Sequence, residues 1–135
     1  MRFLVDANVL SEATKPAPAA RVIDWLTHHE AELAVDPVIL GEIHFGIHLL
    51  PAGKRRRRLE QWFEQGVARL TCLPLTAETG LRWARLLADL RSSNKAMSVK
   101  DSLIAATALV HGLTVATRNT RDFRFSGARV FDPFV

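Results

Sequence analysis

Cysteine is almost absent from this sequence of 135 residues, in which Cys72 is the single example. One thiol excludes an internal disulfide framework. Long apolar runs are lacking as well, and none approaches the roughly 18 residues that suggest a membrane-spanning helix. The early carboxylate of Asp6 interrupts any signal-peptide core. We therefore expect a soluble cytoplasmic protein without membrane attachment, in which Cys72 is a small buried hydrophobic residue of the stretch 70–73.

The composition also lacks the low hydrophobicity and high net charge of a disordered chain. Apolar residues make up 48% of the sequence, which is enough for a core, and the length suits one globular domain over residues 1–135. We find no internal repeat, low-complexity segment or linker. The 18 Lys and Arg against 14 Asp and Glu give a net charge of +4, which permits nucleic-acid binding but does not establish it.

Short apolar runs alternate with amphipathic stretches along the chain. The runs 3–5, 33–35 and 113–116 predict buried strands, and 130–131 predicts a last edge strand. Helices are predicted over about 18–26, 37–50, 54–67, 77–90 and 99–111, with Pro18 in the first turn of the first. The fourth helix is expected to bury Leu81, Ala84, Leu87 and Ala88. This alternation predicts an α/β fold with a mostly parallel sheet and helices on both faces.

Two groups of polar residues directly follow predicted strands. Asp6 comes after the first strand, and Asn119 and Asp122 come after the strand at 113–116. Sites in open parallel sheets form beyond the carboxyl ends of the strands, so we expect these side chains to meet there. Asp6 as a simple turn former and Asp122 as an ordinary loop residue remain alternatives.

Two further carboxylates lie on predicted helices. Glu42 lies beside Ile43, at the edge of a buried isoleucine stripe, where an unpaired charge would be costly. Either a basic side chain or a metal ion could pair with it. Asp101 lies in the first turn of the 99–111 helix, on its inner side. The spacing from Ser98 to Asp101 also matches a capping box, in which Asp101 would only bond the helix start.

Four converging carboxylates without an arginine cluster among them would repel one another unless cations were bound. Mg²⁺ and Mn²⁺ are the natural choices because both prefer carboxylate and water oxygens. Such ions can acidify a water molecule and stabilise charge on a phosphodiester. The residues therefore favour metal-dependent phosphoryl chemistry.

Four segments, 4–12, 42–46, 101–108 and 117–123, together resemble the PIN-domain ribonucleases, and within them the VapC-type toxins of bacterial toxin–antitoxin pairs. They occur in the family order and span nearly the whole chain. The resemblance implies a PIN-like three-layer α/β/α sandwich and endonuclease activity on RNA that depends on Mg²⁺, with Mn²⁺ as a substitute. It also implies a homodimer and inhibition by a small co-encoded VapB-type antitoxin.

The resemblance further implies roles for individual residues. The acidic set that binds metal and catalyses would be Asp6, Glu42, Asp101 and Asp122. Asn119 would help to hold that set by hydrogen bonding, and Thr117 would support it or a bound water molecule. Asn8 is a further candidate for a supporting contact.

Two basic features have simpler explanations than function. His44 and His48 have the spacing of a zinc pair but lie opposite the isoleucine stripe, which favours a solvated face. The run 54–58, which is Lys followed by four Arg, could track a phosphate backbone. Consecutive residues spread around a helix, however, so a solvated face is again the first interpretation.

Two other functions remain alternatives. A phosphatase of the haloacid dehalogenase type would use Asp6 as its nucleophile, but it needs a second aspartate where this chain has Asn8. A non-catalytic basic RNA-binding domain would use the acids only as helix caps and ion-pair partners.

Overall fold

A computed structural model describes all 135 residues and contains one parallel sheet of five strands. The strands are β1 Phe3–Val5, β2 Leu33–Val35, β3 Thr71–Cys72, β4 Thr114–Ala116 and β5 Val130–Phe131. Their order in the sheet is β3-β2-β1-β4-β5, and every neighbouring pair is parallel. The three predicted central strands and the edge strand β5 are confirmed, whereas β3 was not predicted.

Six α-helices cover the sheet and complete the three-layer α/β/α sandwich. They are α1 Ala7–Leu10, α2 Ala20–His28, α3 Pro37–His48, α4 Lys54–Gln65, α5 Ala77–Ser92 and α6 Val99–His111. Asp36 caps α3 because its Oδ1 accepts the Ile39 N–H at 2.9 Å, and Gly112 ends α6 in the left-handed region at φ 66°. None of these helices is both long and apolar enough to cross a membrane.

The core lies on both faces of the three central strands. Strands β1 and β2 are buried throughout, and Val115 and Ala116 of β4 are buried as well. Helix α3 contributes the predicted stripe of Ile39, Ile43 and Ile47. Burial of the central strands on both faces holds their backbones firmly, so the residues that follow them start from fixed positions.

The buried face of α5 differs from the predicted one. Leu81 is 75% exposed, and Ala84 and Ala88 are exposed too. The helix instead buries Thr79, Leu86 and Leu90. The sequence has apolar residues on two adjacent faces of this helix, and periodicity alone cannot tell which face meets α6.

Three smaller predictions are also wrong. Cys72 is exposed because it lies in β3 at the edge of the sheet. Pro18 precedes α2 and is not part of it, since Ala19 is the N-terminal cap residue. Val67, expected at the end of the predicted helix over 54–67, lies in a separate 3₁₀ turn, Val67–Arg69, after α4.

Candidate active site at the carboxyl edge of the sheet

Asp6 and Thr117 meet where the two central strands β1 and β4 end. Val5 is paired with Ala116 across the sheet, so the next residue of each strand emerges at the same edge. The Thr117 hydroxyl donates to Asp6 Oδ2 at 2.8 Å, and both residues are buried. The parallel register therefore creates this contact between residues 111 positions apart.

The Asp6 carboxylate is held by several donors. Its Oδ1 accepts the Ala7 N–H at 2.9 Å, which caps α1, and its Oδ2 accepts from Asn8 Nδ2 at 3.3 Å. Burial raises the pKa of Asp6 above its ordinary value, and the charges of Glu42 and Asp101 raise it further. The hydrogen bonds from Thr117 and Ala7 oppose that rise. Asp6 therefore acts as a turn former and also faces two other predicted site acids.

Glu42 is paired with Lys100, a residue that the sequence analysis did not place in the site. Lys100 Nζ lies 2.6 Å from Glu42 Oε2 and 3.9 Å from Asp101 Oδ1. Partial burial opposes the charge of Lys100, but the hydrogen bond and negative charge of Glu42 outweigh it and raise the lysine pKa. A lysine next to Asp101 in the sequence could have signalled this, because it lies in the same helical turn. Of the two partners expected for Glu42, a basic side chain or a metal ion, the structure shows the basic side chain.

Asp101 contributes to the start of α6 through its backbone. Its N–H donates to Ser98 Oγ at 3.1 Å, so the serine supplies the cap. Burial raises the pKa of the Asp101 carboxyl group, and Asp122 and Glu42 add to this effect, whereas Ser98 and Lys100 lower it. The carboxylate itself therefore faces the other acids.

Asp122 lies on the exposed side of the site. It belongs to the 3₁₀ turn Thr120–Phe123 that follows β4. Together with Asp101, it lines an open cleft of about 340 Å³ that also contains Arg121 and Arg124. The structure thus brings Asp122 beside Asp101 of α6, whereas the placement after the strands predicted that Asp122 meets Asp6.

The hydrogen bonds of the two asparagines differ from those expected. Asn8 donates to Asp6 and to Thr117 Oγ1 at 3.4 Å, and its Oδ1 accepts the Arg118 N–H at 3.0 Å. Asn119 contributes its backbone N–H, which donates to Thr117 Oγ1 at 3.0 Å. No hydrogen bond involves the Asn119 side chain, so the expected contact to the acidic set is made by its backbone and through Thr117.

The donor chemistry of this edge suits a hard cation. Every predicted ligand is a carboxylate, and Glu42 Oε1 is buried without a hydrogen-bond partner. No three acids, histidines or cysteines stand close enough together to hold one ion as they are placed here. The side chains would therefore have to draw together around an ion, and Glu42 would have to exchange Lys100 for it.

His44 and His48 lie apart from this site. The His44 ring is 4.9 Å from the Phe63 ring, and His48 Nδ1 accepts from Arg56 at 3.1 Å. His48 is exposed, as expected, whereas His44 is half-buried against α4. Contacts between two helices thus account for both rings.

The sequence and fold match known proteins over nearly the whole chain. A plasmid stability protein, StbB, from Pseudomonas syringae pv. tomato is 36% identical, with 98% of each chain covered. The VapC ribonuclease Y4jK from Sinorhizobium fredii is 33% identical, with 98% of this chain and 97% of that protein covered. The crystal structure of FitAcB from Neisseria gonorrhoeae superposes with a TM-score of 0.90 at 32% identity, and 98% of each chain is covered.

The family model of the PIN domain matches residues 3–127, a range that contains all the predicted site residues. Strands β1 to β4 and the acidic carboxyl edge lie within the same range, and the edge strand β5 follows it. The chain belongs to the PIN domain family.

Proposed function

We propose that this protein is a metal-dependent endoribonuclease and the toxin of a VapBC-type toxin–antitoxin pair. The observation that carries the proposal is the convergence of carboxylates from distant segments: the charges of Glu42 and Asp101 reach buried Asp6, and the charge of Asp122 reaches Asp101. Such a cluster is unfavourable by itself and favourable around a divalent cation. Relatives that span the whole chain include a VapC ribonuclease and the toxin FitB.

The proposed catalytic and metal-binding residues are Asp6, Glu42, Asp101 and Asp122, with Thr117 and Asn119 in support. Mg²⁺ is the proposed ion, with Mn²⁺ as a substitute, because the donors are all oxygens. When bound, the ion would supply an acidified water molecule and stabilise charge on the phosphodiester. Thr117 fixes the orientation of the Asp6 carboxylate, and the Asn119 N–H in turn fixes the Thr117 hydroxyl.

The proposal also covers the antitoxin partner, the oligomeric state and the cellular compartment. A VapB-type antitoxin would inhibit it, and the solved relative FitAB bound to a DNA fragment supports such a pairing. A homodimer would cover part of the apolar surface that α5 leaves exposed around Leu81. We further propose that the chain works as a single domain in the cytoplasm, where its RNA substrate is found.

Cleavage of RNA by the purified protein tests the activity. We expect cleavage with Mg²⁺ or Mn²⁺, none with EDTA, and a loss of at least about a hundredfold in Asp6→Asn at unchanged circular dichroism. Asn is nearly isosteric with Asp and can still accept the Ala7 N–H, so the fold should survive. Cleavage at full rate in EDTA would falsify the proposal.

One rival function has support in the structure. The Glu42–Lys100 ion pair and the Ser98 cap are the contacts expected of a non-catalytic basic RNA-binding domain. That alternative predicts RNA binding that neither Mg²⁺ nor Asp6→Asn alters, and no cleavage under any condition. The same set of measurements therefore separates the two functions.

A further inference from the structure

A second cleft, of about 400 Å³, lies away from the acidic edge. Its walls are the segment before α2 and the first two turns of α4, and its lining residues are Thr14, Lys15, Pro16, Arg55, Arg58 and Leu59. Three of these six are basic and none is acidic. We call it the basic cleft.

The basic run at the start of α4 divides into three groups around the helix. Arg55 and Arg58, one turn apart, line the basic cleft. Arg56 is paired with Glu60 at 2.8 Å. Lys54 and Arg57 are exposed and line no part of the cleft. The run is therefore not one uniform solvated face, because two of its five cations share a concave surface with Lys15.

The arginines of the cleft lack protein partners. No carboxylate lies within 4.0 Å of Arg55 or Arg58, whereas Lys15 is paired with Glu12 at 2.9 Å. The cations also stand at the unfavourable end of α4, since the positive end of a helix dipole repels them. The first turn has no acidic residue, and Gly53 offers no capping side chain. Such a local conflict with helix-forming rules is typical of a functional surface, and an anionic ligand would relieve it.

Two elements lead from the acidic edge to the two walls of the cleft. The chain after Asp6 runs through α1 and a 3₁₀ turn to Thr14 on one wall. Helix α3 carries Glu42 and ends at His48, which accepts a hydrogen bond from Arg56 of α4, the helix whose Arg55 and Arg58 form the other wall. From Glu42 to His48 the helix rises about 9 Å, at 1.5 Å per residue. This rise is the length of helix between Glu42 of the acidic edge and the hydrogen bond that joins α3 to α4.

We propose that Arg55 and Arg58, with Lys15, bind the phosphate backbone of a single-stranded RNA substrate outside the acidic edge where the strand is cut. This inference deepens the proposed ribonuclease function, on which it rests. Guanidinium groups form paired, charge-assisted hydrogen bonds with phosphate oxygens. The cleft is connected to the acidic edge by helix α3 and by the segment from α1 to Thr14. Backbone contacts of this kind position a strand without reading its sequence.

A matched pair of double variants tests the proposal. Arg55→Gln with Arg58→Gln removes two cations from the cleft, and Lys54→Gln with Arg57→Gln removes two cations with the same spacing outside it. Fluorescence anisotropy with a labelled single-stranded RNA in EDTA measures binding without cleavage. We expect the cleft variant to bind about tenfold more weakly and the control to change less than about threefold. The slope of log Kd against log salt concentration should fall by about 1.4 in the cleft variant, at roughly 0.7 per lost phosphate contact.

Equal losses of RNA affinity in the two double variants would overturn the proposal, since only total charge would then matter. A cleft variant that keeps its RNA affinity but loses binding to a polyglutamate peptide would also overturn it, in favour of an acidic polypeptide. Thermal unfolding of both variants checks that neither loses its fold. Because binding is measured without metal, a cleft-specific loss supports the inference even if no cleavage is found, and failure of the nuclease proposal remains a separate result.

Discussion

The acidic edge has two halves that are held in different ways. In the half at the sheet, Asp6 and Thr117 are buried and fixed by hydrogen bonds from a hydroxyl group and a backbone N–H. In the half carried by helices, Glu42 and Asp101 face Lys100, whose side chain is 45% exposed. Hydrogen bonds at the end of the rigid sheet hold the first half. In the second half, the flexible Lys100 side chain offsets the negative charge of the two carboxylates.

The difference indicates which half is prepared in advance for chemistry. Asp6 already has the orientation that its neighbours dictate, so a ligand finds it in place. Glu42 has one buried oxygen without a partner and one engaged by lysine, so it must exchange its present cation for any other. We therefore expect loss of a supporting contact in the sheet half to reduce function strongly, and loss of Lys100 from the helix half only to adjust metal affinity.

The largest effect in this comparison is expected for Thr117→Val. Valine has the shape of threonine but cannot donate to Asp6 or accept from the Asn119 N–H. Loss of such a supporting hydrogen bond typically lowers metal affinity or activity by about 10- to 100-fold. We expect a decrease of this size in kcat/KM for RNA cleavage, together with about 1 kcal/mol of lost stability from the hydrogen bonds that valine cannot make.

Thr117→Ser is the control for that prediction because it keeps the hydroxyl group and removes only a methyl group. It should retain most of the activity. Equal activity in the valine variant and the wild type would show that the sheet half does not depend on this contact, and the contrast between the halves would lose its basis.

The sheet half was the more predictable from sequence. Apolar runs identify β1 and β4, and parallel strands bring their carboxyl ends to one edge, so Asp6 and the segment from Thr117 to Asp122 were expected together. The α/β class follows from the same alternation of strands and helices. The identity of the contacts needed the structure itself, because the resemblance gave the hydrogen-bonding role to Asn119 and the Asn8 side chain contacts Asp6 instead.

The helix half was harder to predict because it depends on how helices rotate and pack. The hydrophobic periodicity of α3 placed Glu42 at the edge of a buried stripe. That periodicity could not identify the partner of Glu42 as Lys100, because the two residues are 58 positions apart in the sequence. The same uncertainty produced the wrong inner face for α5, where Leu81 is exposed and Leu86 is buried. Strand order and helix rotation are long-range properties, and a single sequence specifies them only through the complete packing of the core.

A smaller effect is expected in the stability of metal-free Asp6→Asn. Burial and the neighbouring acids raise the pKa of Asp6 in the folded protein, so its ionised form is a cost to folding at neutral pH. Removing that charge should raise the free energy of unfolding in EDTA by about 1 kcal/mol, within the usual range for single substitutions. As the pH falls through the folded pKa of Asp6 towards its ordinary value of 3.8, the wild-type carboxyl group becomes protonated and the difference should disappear.

Asp122→Asn provides the contrast for this measurement. Asp122 is exposed, so its charge is solvated and its removal should leave the stability in EDTA nearly unchanged. Urea denaturation of both variants at neutral and acidic pH gives the comparison. A destabilised Asp6→Asn protein in EDTA would mean that Asp6 is a structural cap and that the sheet half is not strained by its charge.

The smallest effect is expected for Lys100→Met in the helix half. Methionine keeps the long side chain but removes the ammonium group that faces Glu42 at 2.6 Å. A half-exposed ion pair contributes up to about 1 kcal/mol, so a divalent cation that no longer competes with the lysine should bind about two- to fivefold more tightly. Calorimetric titration with Mn²⁺ measures this affinity, and Lys95→Met, which removes a cation outside the acidic edge, should leave it unchanged. Weaker Mn²⁺ binding in Lys100→Met would mean that Lys100 orients Glu42 for the ion, and the helix half would then be prepared in advance like the sheet half.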